Sequence, residues 1–341
     1  MKPVYIHSAV SISAQRTFES EVLLSELIEI SGKKVEAIHP NYKDYISTMA
    51  LRRMATGVKM GVATSKKALQ EANISNIDAI LTGTGMGCIE DTEKFLNAII
   101  SSEEEFLTPT SFIQSTHNTV GAQIALELNC NAYNNTYVHG ALSFESALID
   151  AQLLIQQDEA NTILVGGIDE LGTEFVDALR MIEDQTPEGI AVPIGEGASF
   201  FILSSEKENQ GVELLDMETF SQLKRDSIQE KLNAFLTRNH LKHSEIDVLI
   251  LGNNGDSFDD YYTELKADFS NEIATIDYKK FCGEFYTASA FGLYLGYTIL
   301  KSQIIPQDLI RNKISNRPPK TLLLYNQFKG RDHSFILLTL C

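Results

Sequence analysis

The chain has 341 residues, 43% of them hydrophobic, and a formal net charge of −18 at pH 7. This apolar content allows a large buried core, whereas the acidic charge disfavours binding to nucleic acid or to anionic lipid. No uncharged apolar window of about 18 residues predicts a transmembrane helix, and residues 1–10 are not typical of a signal peptide. The cysteines Cys88, Cys130, Cys282 and Cys341 lack metal-site spacing, so we expect reduced thiols, a cytoplasmic location, and no metal or cofactor.

Strand-like and helix-like segments alternate along the whole chain, which favours an α/β fold. The predicted strands are residues 3–10, 78–84, 162–168, 199–204, 247–252, 321–326 and 334–340. Helical patterns lie between them, for example at residues 58–71 and 229–238. The polar segment 205–211 is the candidate link between two halves, residues 1–205 and 206–341.

Two stretches of the second half resemble stretches of the first half in the same order, which indicates a duplicated fold. The segment "SNIDAILTGTGMG" corresponds to "SEIDVLILGNNGD", so that Gly83 matches Gly252. The segment "VHGALSFESALIDAQLLI" corresponds to "FCGEFYTASAFGLYLGYTI", so that Gly140 matches Gly283.

Residues 141–155 and 284–300 form predicted helices with apolar side chains on nearly every side. A helix of this kind is buried rather than exposed on one face. We therefore expect one buried helix in each half, with both helices enclosed between two sheets. This predicts a layered αβαβα arrangement.

A duplicated α/β chain with two buried helices resembles the thiolase superfamily, and several motifs are similar to its β-ketoacyl synthase (ketosynthase) branch. The segment "VPIGEGASFFILSSE" resembles the family's Gly-Glu-Gly-Ala strand at Gly195, Glu196, Gly197 and Ala198. The segments "LVGGIDE" and "ALQEANISNIDAILTGTGMG" resemble the preceding strand and the first Gly-rich strand end. The resemblance covers most of the chain and implies a thiolase-like fold with a role in acyl-chain elongation.

Active members of this family use a Cys at the start of the first buried helix and two His residues in the second half. The helix dipole favours the thiolate, and the imidazoles donate to the thioester carbonyl. Carried over by resemblance, the Cys position is Ala141, and the His positions are Asn254 and Glu284. The family's Lys is retained as Lys279, and the C-terminal Gly-rich loop is shortened to "YNQFKGRDHS". The resemblance thus implies that all three catalytic side chains are absent.

Other residues near these positions are candidates for a non-standard site. Ser143 or Ser146 could be a nucleophile with His139 as its base, but Ser143 lacks the flanking glycines of a hydrolase elbow. We expect these serines to bond to backbone carbonyl groups in the helix, and His139 to be buried and neutral. We expect Glu284 to interact with the dipole of the helix that it begins, although a role as a base stays open.

Two further features have simple structural interpretations. The segment "GTGMG", residues 83–87, suggests a phosphate loop, but Cys88 stands where the dinucleotide pattern needs Gly. A ketosynthase-like strand end fits it better. Cys282 is expected to be a buried small hydrophobic residue.

A ketosynthase fold without its Cys resembles the chain-length-factor subunits of type II polyketide systems, which pair with an active ketosynthase. The resemblance implies a heterodimer, with self-pairing as the alternative, and an acyl carrier protein reached through the partner's basic surface. The segment "STHNTVGAQIALELN" with the helix that follows is similar to ketosynthase-like proteins of aryl-polyene and flexirubin-type pigment pathways. The interface strand would comprise Tyr133, Asn134, Asn135, Thr136, Tyr137 and Val138.

Two other functions remain open at this point. One is an active acyltransferase or condensing enzyme that uses Glu284, His139 or Ser143. The other is a non-catalytic homodimer that only binds an acyl chain.

Overall fold

The computed structural model describes residues 2–19, 26–102, 107, 109–183, 189–208, 210–310 and 318–341. Within these residues the helices are α1 Thr48–Leu51, α2 Thr56–Glu71, α3 Ile89–Ser101, α4 Pro109–Ser115, α5 Thr119–Leu128, α6 Ser143–Gln156, α7 Thr173–Glu183, α8 Ile228–Arg238, α9 Asp260–Lys266, α10 Lys279–Cys282 and α11 Ala288–Ser302. The strands are β1 Tyr5–Ile12, β2 Ala79–Gly83, β3 Tyr133–Tyr137, β4 Thr162–Asp169, β5 Gly197–Ser204, β6 Val212–Ser221, β7 Val248–Leu251, β8 Ala274–Asp277, β9 Thr321–Phe328 and β10 Asp332–Leu340. The predicted α/β class is confirmed.

All ten strands form one sheet, in the order β3-β2-β4-β5-β1-β6-β10-β9-β7-β8. From the middle of the sheet outward, the first half runs β1, β5, β4, β2, β3, and the second half runs β6, β10, β9, β7, β8. The two halves therefore have the same strand order. In each half the three outer strands are parallel and the remaining pairs are antiparallel. The halves join through a short pairing of β1 with β6. The two predicted sheets are therefore parts of one continuous sheet.

The duplication extends to individual side chains. Asp78 Oδ2 accepts hydrogen bonds from two backbone N–H groups at the start of β4, at 2.8 and 3.0 Å. Asp247 Oδ2 accepts the equivalent pair at the start of β9, at 2.8 and 2.9 Å. The matched glycines Gly140 and Gly283 both have positive φ, at 55° and 81°. The repeated sequence motifs thus perform the same local task in each half.

The helices lie in layers on this sheet. The main apolar core contains α6, α11 and strands of both halves, whereas separate cores lie beneath α2 and α5 and beneath α8 and α9. These layers agree with the predicted αβαβα arrangement. No helix in the described ranges is long and apolar enough to cross a membrane.

The two central helices differ from their predictions in burial and in length. In α11, 12 residues are buried, but α6 is buried on one side only, and its Leu153 is 45% exposed. The second helix begins at Ala288, four residues later than predicted. Glu284 precedes it in an extended segment that bridges to Ile194.

Candidate functional site

The turn between β3 and α6 contains Ala141, which the family resemblance places at the Cys position. A short 3-10 helix, Gly140–Leu142, joins the two elements and places Ala141 in the interior, where it is 3% exposed. Gly83 allows β2 to approach this turn closely, because a Cβ there would lie 2.5 Å from the Ser143 carbonyl. The turn is tightly built, but the methyl group of Ala141 offers no nucleophile.

The hydroxyl groups near the turn bond to the backbone. Ser143 Oγ donates to the Gly140 carbonyl at 2.7 Å and accepts the His139 N–H at 2.8 Å. Ser146 Oγ donates to the Leu142 carbonyl at 2.8 Å. The expected backbone bonding of both serines is therefore present, and it leaves the Ser143 hydroxyl bonded to backbone rather than free as a nucleophile.

His139 differs from its prediction. Its ring was expected to be buried, but the residue is exposed at the surface. Its Nδ1 lies 3.2 Å from Ser146 Oγ. The left-handed Gly140 that follows turns the chain inward only after this residue, so His139 remains outside the core.

Asn254, Lys279 and Glu284 meet in one buried cluster. Lys279 Nζ donates to Glu284 Oε2 at 2.8 Å, and Asn254 Nδ2 donates to the same oxygen at 2.9 Å. Lys279 is 1% exposed and Glu284 4%. Asn254 follows β7, Lys279 begins α10, and Glu284 precedes α11. The strand order of the second half brings these separate elements to one place.

The backbone of Glu284 is fixed by the Gly-Glu-Gly-Ala segment. Its N–H donates to the Pro193 carbonyl at 2.8 Å, and its carbonyl accepts the Gly195 N–H at 2.9 Å. The left-handed Gly283 permits this approach, since a Cβ there would lie 2.8 Å from the Pro193 oxygen. The predicted interaction of Glu284 with a helix dipole is therefore wrong, and its carboxylate is paired with Lys279 instead.

This cluster has the wrong chemistry for stabilising a thioester oxyanion. Imidazole N–H groups would donate hydrogen bonds to developing negative charge, whereas the Glu284 carboxylate only accepts them. Lys279 and Asn254 point their donors at Glu284. Within the described residues, no hydrogen bond links His139 or Ser143 to the cluster.

An apolar cavity adjoins Glu284. Its lining comes from α7, from residues 190–195 and from the segment before α11, and includes Phe175, Leu179, Ile190, Phe285, Tyr286 and Phe328. Tyr286 packs directly against Gly85, since a Cβ added to Gly85 would lie 2.3 Å from the Cβ of Tyr286. The ring centroids of Tyr286 and Phe328 are 5.4 Å apart. The cavity therefore has aromatic walls beside Glu284.

Asp169 explains the Gly-rich segment that follows β2. Its Oδ1 accepts hydrogen bonds from Thr84 Oγ1 and from the N–H groups of Gly85 and Met86, at 2.8 to 3.0 Å. Its Oδ2 accepts the N–H and hydroxyl of Thr287, both at 2.9 Å. The N–H groups that a phosphate would need are thus already bonded to a carboxylate, and they tie the turn to the start of α11.

Two buried carboxyl groups were missed by the sequence analysis. Glu145, one turn after Ala141, is fully buried and accepts the Ser334 hydroxyl at 2.9 Å; burial raises the pKa of its carboxyl. Glu170 lines the cavity, and burial, followed by the charge of Glu90, raises the pKa of its carboxyl to about 8. The signal for Glu145 was an acidic residue in the first turn of a largely apolar helix.

The two buried cysteines offer no replacement thiol. Cys282 is fully buried, as predicted, and burial raises the pKa of its thiol well above the usual value. Cys88 is also fully buried, and burial raises its thiol pKa in the same way. Both thiols are therefore protonated at neutral pH and weakly nucleophilic.

Comparisons with known proteins agree with this architecture. The family profile "Beta-ketoacyl synthase, N-terminal domain" matches residues 32–248. No curated protein matches the chain in sequence.

Solved structures match over nearly the whole chain. A β-ketoacyl synthase from Burkholderia phymatum STM815 has a TM-score of 0.81 at 16% identity, with 100% of both chains covered. The ishigamide ketosynthase/chain length factor has a TM-score of 0.80 at 16% identity, with 99% of both chains covered. The ketosynthase ApeO in complex with its chain length factor ApeC, from Xenorhabdus doucetiae, has a TM-score of 0.77 at 14% identity, covering 100% of this chain and 98% of that one. At these identities the similarity shows the shared fold.

Proposed function

We propose that this chain, which belongs to the β-ketoacyl synthase family, is a non-catalytic, chain-length-factor-like subunit of an active ketosynthase. Two observations carry the proposal: the buried cluster of Lys279, Glu284 and Asn254, and the turn that presents Ala141. A buried ion pair occupies the carried-over imidazole position, and a methyl group stands in place of the thiol.

The remaining groups do not supply an alternative mechanism. Covalent acyl transfer needs a nucleophile with an adjacent base. The Ser143 hydroxyl is bonded to backbone on both sides, and the Glu284 carboxylate is neutralised by Lys279. A condensing enzyme or acyltransferase that uses these residues is therefore disfavoured.

The proposed role lies in polyketide or fatty-acid-type chain elongation, with an aryl-polyene pigment pathway as the finer hypothesis. Two of the similar structures combine a ketosynthase with a chain length factor, which supports pairing of this chain with an active ketosynthase. The interface would be formed by residues 133–138, and an acyl carrier protein would dock on the partner. The four cysteines are free, in keeping with a cytoplasmic location.

Acyl loading tests the absence of condensing activity. The purified chain is incubated with acyl coenzyme A and with acyl carrier protein loaded with an acyl group, and its intact mass is measured. We expect no added mass. A covalent acyl adduct that disappears in Ser143→Ala would instead establish the alternative enzyme.

Co-expression with a candidate partner ketosynthase from the same genome tests the partnership. We expect the two chains to purify together and the ketosynthase to make products of a defined length only in the complex. A chain that stays homodimeric beside a ketosynthase fully active alone would contradict the proposal and favour a homodimer that binds acyl chains.

A further inference from the structure

The two ends of the ten-stranded sheet differ in exposure. At one end, all four residues of β8 are buried. At the other end, β3 is exposed or half-exposed along its length, with Tyr133 at 48%. Beside it, Val138, the residue after β3, is 50% exposed, and Leu153 of α6 is 45% exposed. An exposed edge strand has unpaired backbone N–H and C=O groups, which readily pair with another chain.

The part of the sequence around this edge lacks basic residues. Residues 95–179, which include β3, α5 and α6, contain no Lys or Arg, although Lys2 pairs with Asp158 and Lys66 with Glu127 from outside this segment. A cleft beside the edge is lined by Asp78, Asp150, Glu159, Tyr133 and apolar residues of α6. A partner that docks here therefore meets the carboxylates of this cleft, and residues 95–179 contribute no Lys or Arg to offset them.

Asp150 lies over the middle of β3. Its Oδ2 accepts the Tyr133 hydroxyl at 3.3 Å, and burial followed by hydrogen bonding to Asp150 raises the pKa of Tyr137 to about 12. The carboxylate is therefore within reach of both ends of the strand. It lies near Asn135, which donates to the Tyr133 oxygen at 3.4 Å.

Self-pairing of this edge would bring like charges together. Two identical strands related by a twofold axis pair antiparallel and form an isologous interface. The register that pairs all five residues of β3 passes the axis through Asn135, so Tyr133 faces the second copy's Tyr137. Both copies of Asp150 then approach the axis, in a segment without basic residues. Like charges in such positions oppose association.

We propose that Asp150 and its acidic surroundings select a non-identical partner, a chain of the same fold that presents a Lys or Arg opposite Asp150, and disfavour self-pairing. This inference rests on the proposed function and specifies how the partner is recognised. The exposed Leu153 and Val138 supply the apolar contact, and the charge decides which chain makes it.

A charge-reversal mixture tests the inference without the natural partner. Wild-type chain, Asp150→Lys and an equimolar mixture of the two are compared by sedimentation velocity at 50 mM and 500 mM salt. Neither chain alone should dimerise appreciably, because each brings like charges to the axis. The mixture should dimerise at least tenfold more tightly than either chain alone, and the difference should shrink at high salt because ions screen the pair.

Glu230→Lys provides a matched control, because it reverses an exposed acidic residue of α8 in the other half. A mixture of wild type with this variant should not gain dimers. A wild-type homodimer as tight as the Asp150→Lys mixture, or equal pairing in the control mixture, would refute the selection by Asp150. The proposed function has a different refuting result. It would fail, and the selection by Asp150 would stand, if the wild type and Asp150→Lys form a dimer but no ketosynthase binds the wild-type chain.

Discussion

The buried pair of Lys279 and Glu284 provides a quantitative test of the site. At a separation of 2.8 Å, Coulomb's law gives an attraction of about 6 kcal/mol with an effective dielectric constant of about 20. Most of this attraction is offset by the desolvation of the two charges, so the net contribution of the intact pair is small. Removing one partner is different, because the other charge remains buried without compensation.

We therefore predict that Glu284→Gln lowers the free energy of unfolding by about 3–5 kcal/mol. Lys279→Met should have a similar effect near neutral pH. The double variant Lys279→Met/Glu284→Gln should be close to wild type, because no buried charge is left without a partner. Urea denaturation followed by circular dichroism, at one pH and salt concentration, gives the four free energies of a double-mutant cycle.

The control for this cycle is the surface ion pair of Arg225 and Asp260. Their charged atoms are 2.6 Å apart, but the side chains are 51% and 64% exposed. Asp260→Asn should therefore change stability by no more than about 1 kcal/mol. The reasoning would be refuted if Glu284→Gln lost no more stability than Asp260→Asn. It would also be refuted if the losses in the free energy of unfolding of the two single variants simply added in the double variant.

Three further changes probe the turn and the cavity. Ala141→Cys should introduce a thiol but no acyl transfer, since Asn254 and Glu284 supply no imidazole and His139 is exposed outside the core; intact mass after incubation with acyl coenzyme A measures the adduct. Gly83→Ala should destabilise the protein by about 1–3 kcal/mol, since its Cβ would lie 2.5 Å from the Ser143 carbonyl; thermal unfolding that matches wild type would contradict this. Glu170→Gln should gain stability relative to wild type as pH rises from about 5 to 8, by up to about 1.4 kcal/mol per pH unit. The sign follows because the Glu170 carboxyl, with its pKa raised to about 8, binds its proton more tightly in the folded state than in the unfolded state. The wild type therefore loses stability as pH rises, whereas the Gln variant does not. Unfolding curves of both proteins at several pH values measure the difference.

The sequence predicted elements well where a pattern is local. The strands found at residues 162–168 and 321–326 agree with β4 and β9 to within two residues. The short β8, with four residues, has no distinct pattern of its own. β6 was missed because its buried and half-buried residues do not alternate regularly. Short or irregular strands depend on pairing with neighbours, which a single segment does not encode.

Long-range contacts decided the features that sequence reasoning predicted wrongly. The second buried helix starts late because Gly283 adopts a left-handed conformation and Glu284 bonds to the segment at Pro193. Leu153 is exposed because α6 packs beside the edge strand of the sheet. Lys279 and Glu284 are five residues apart, but Asn254, which donates to the same carboxylate oxygen, lies 30 residues from Glu284 in the sequence. The cluster as a whole therefore depends on how separate elements of the second half pack.

The retained lysine links the altered chemistry of the site to its stability. A buried Lys279 is unfavourable without a compensating charge, and the carboxylate of Glu284 supplies that charge at 2.8 Å. Under the proposed function, in which Glu284 stands at the family His position, the residue that lacks a hydrogen-bond donor also neutralises the lysine. The pair is then compatible with an intact fold and cavity but not with oxyanion stabilisation. Such a site suits a subunit whose shape is needed by a partner that performs the reaction.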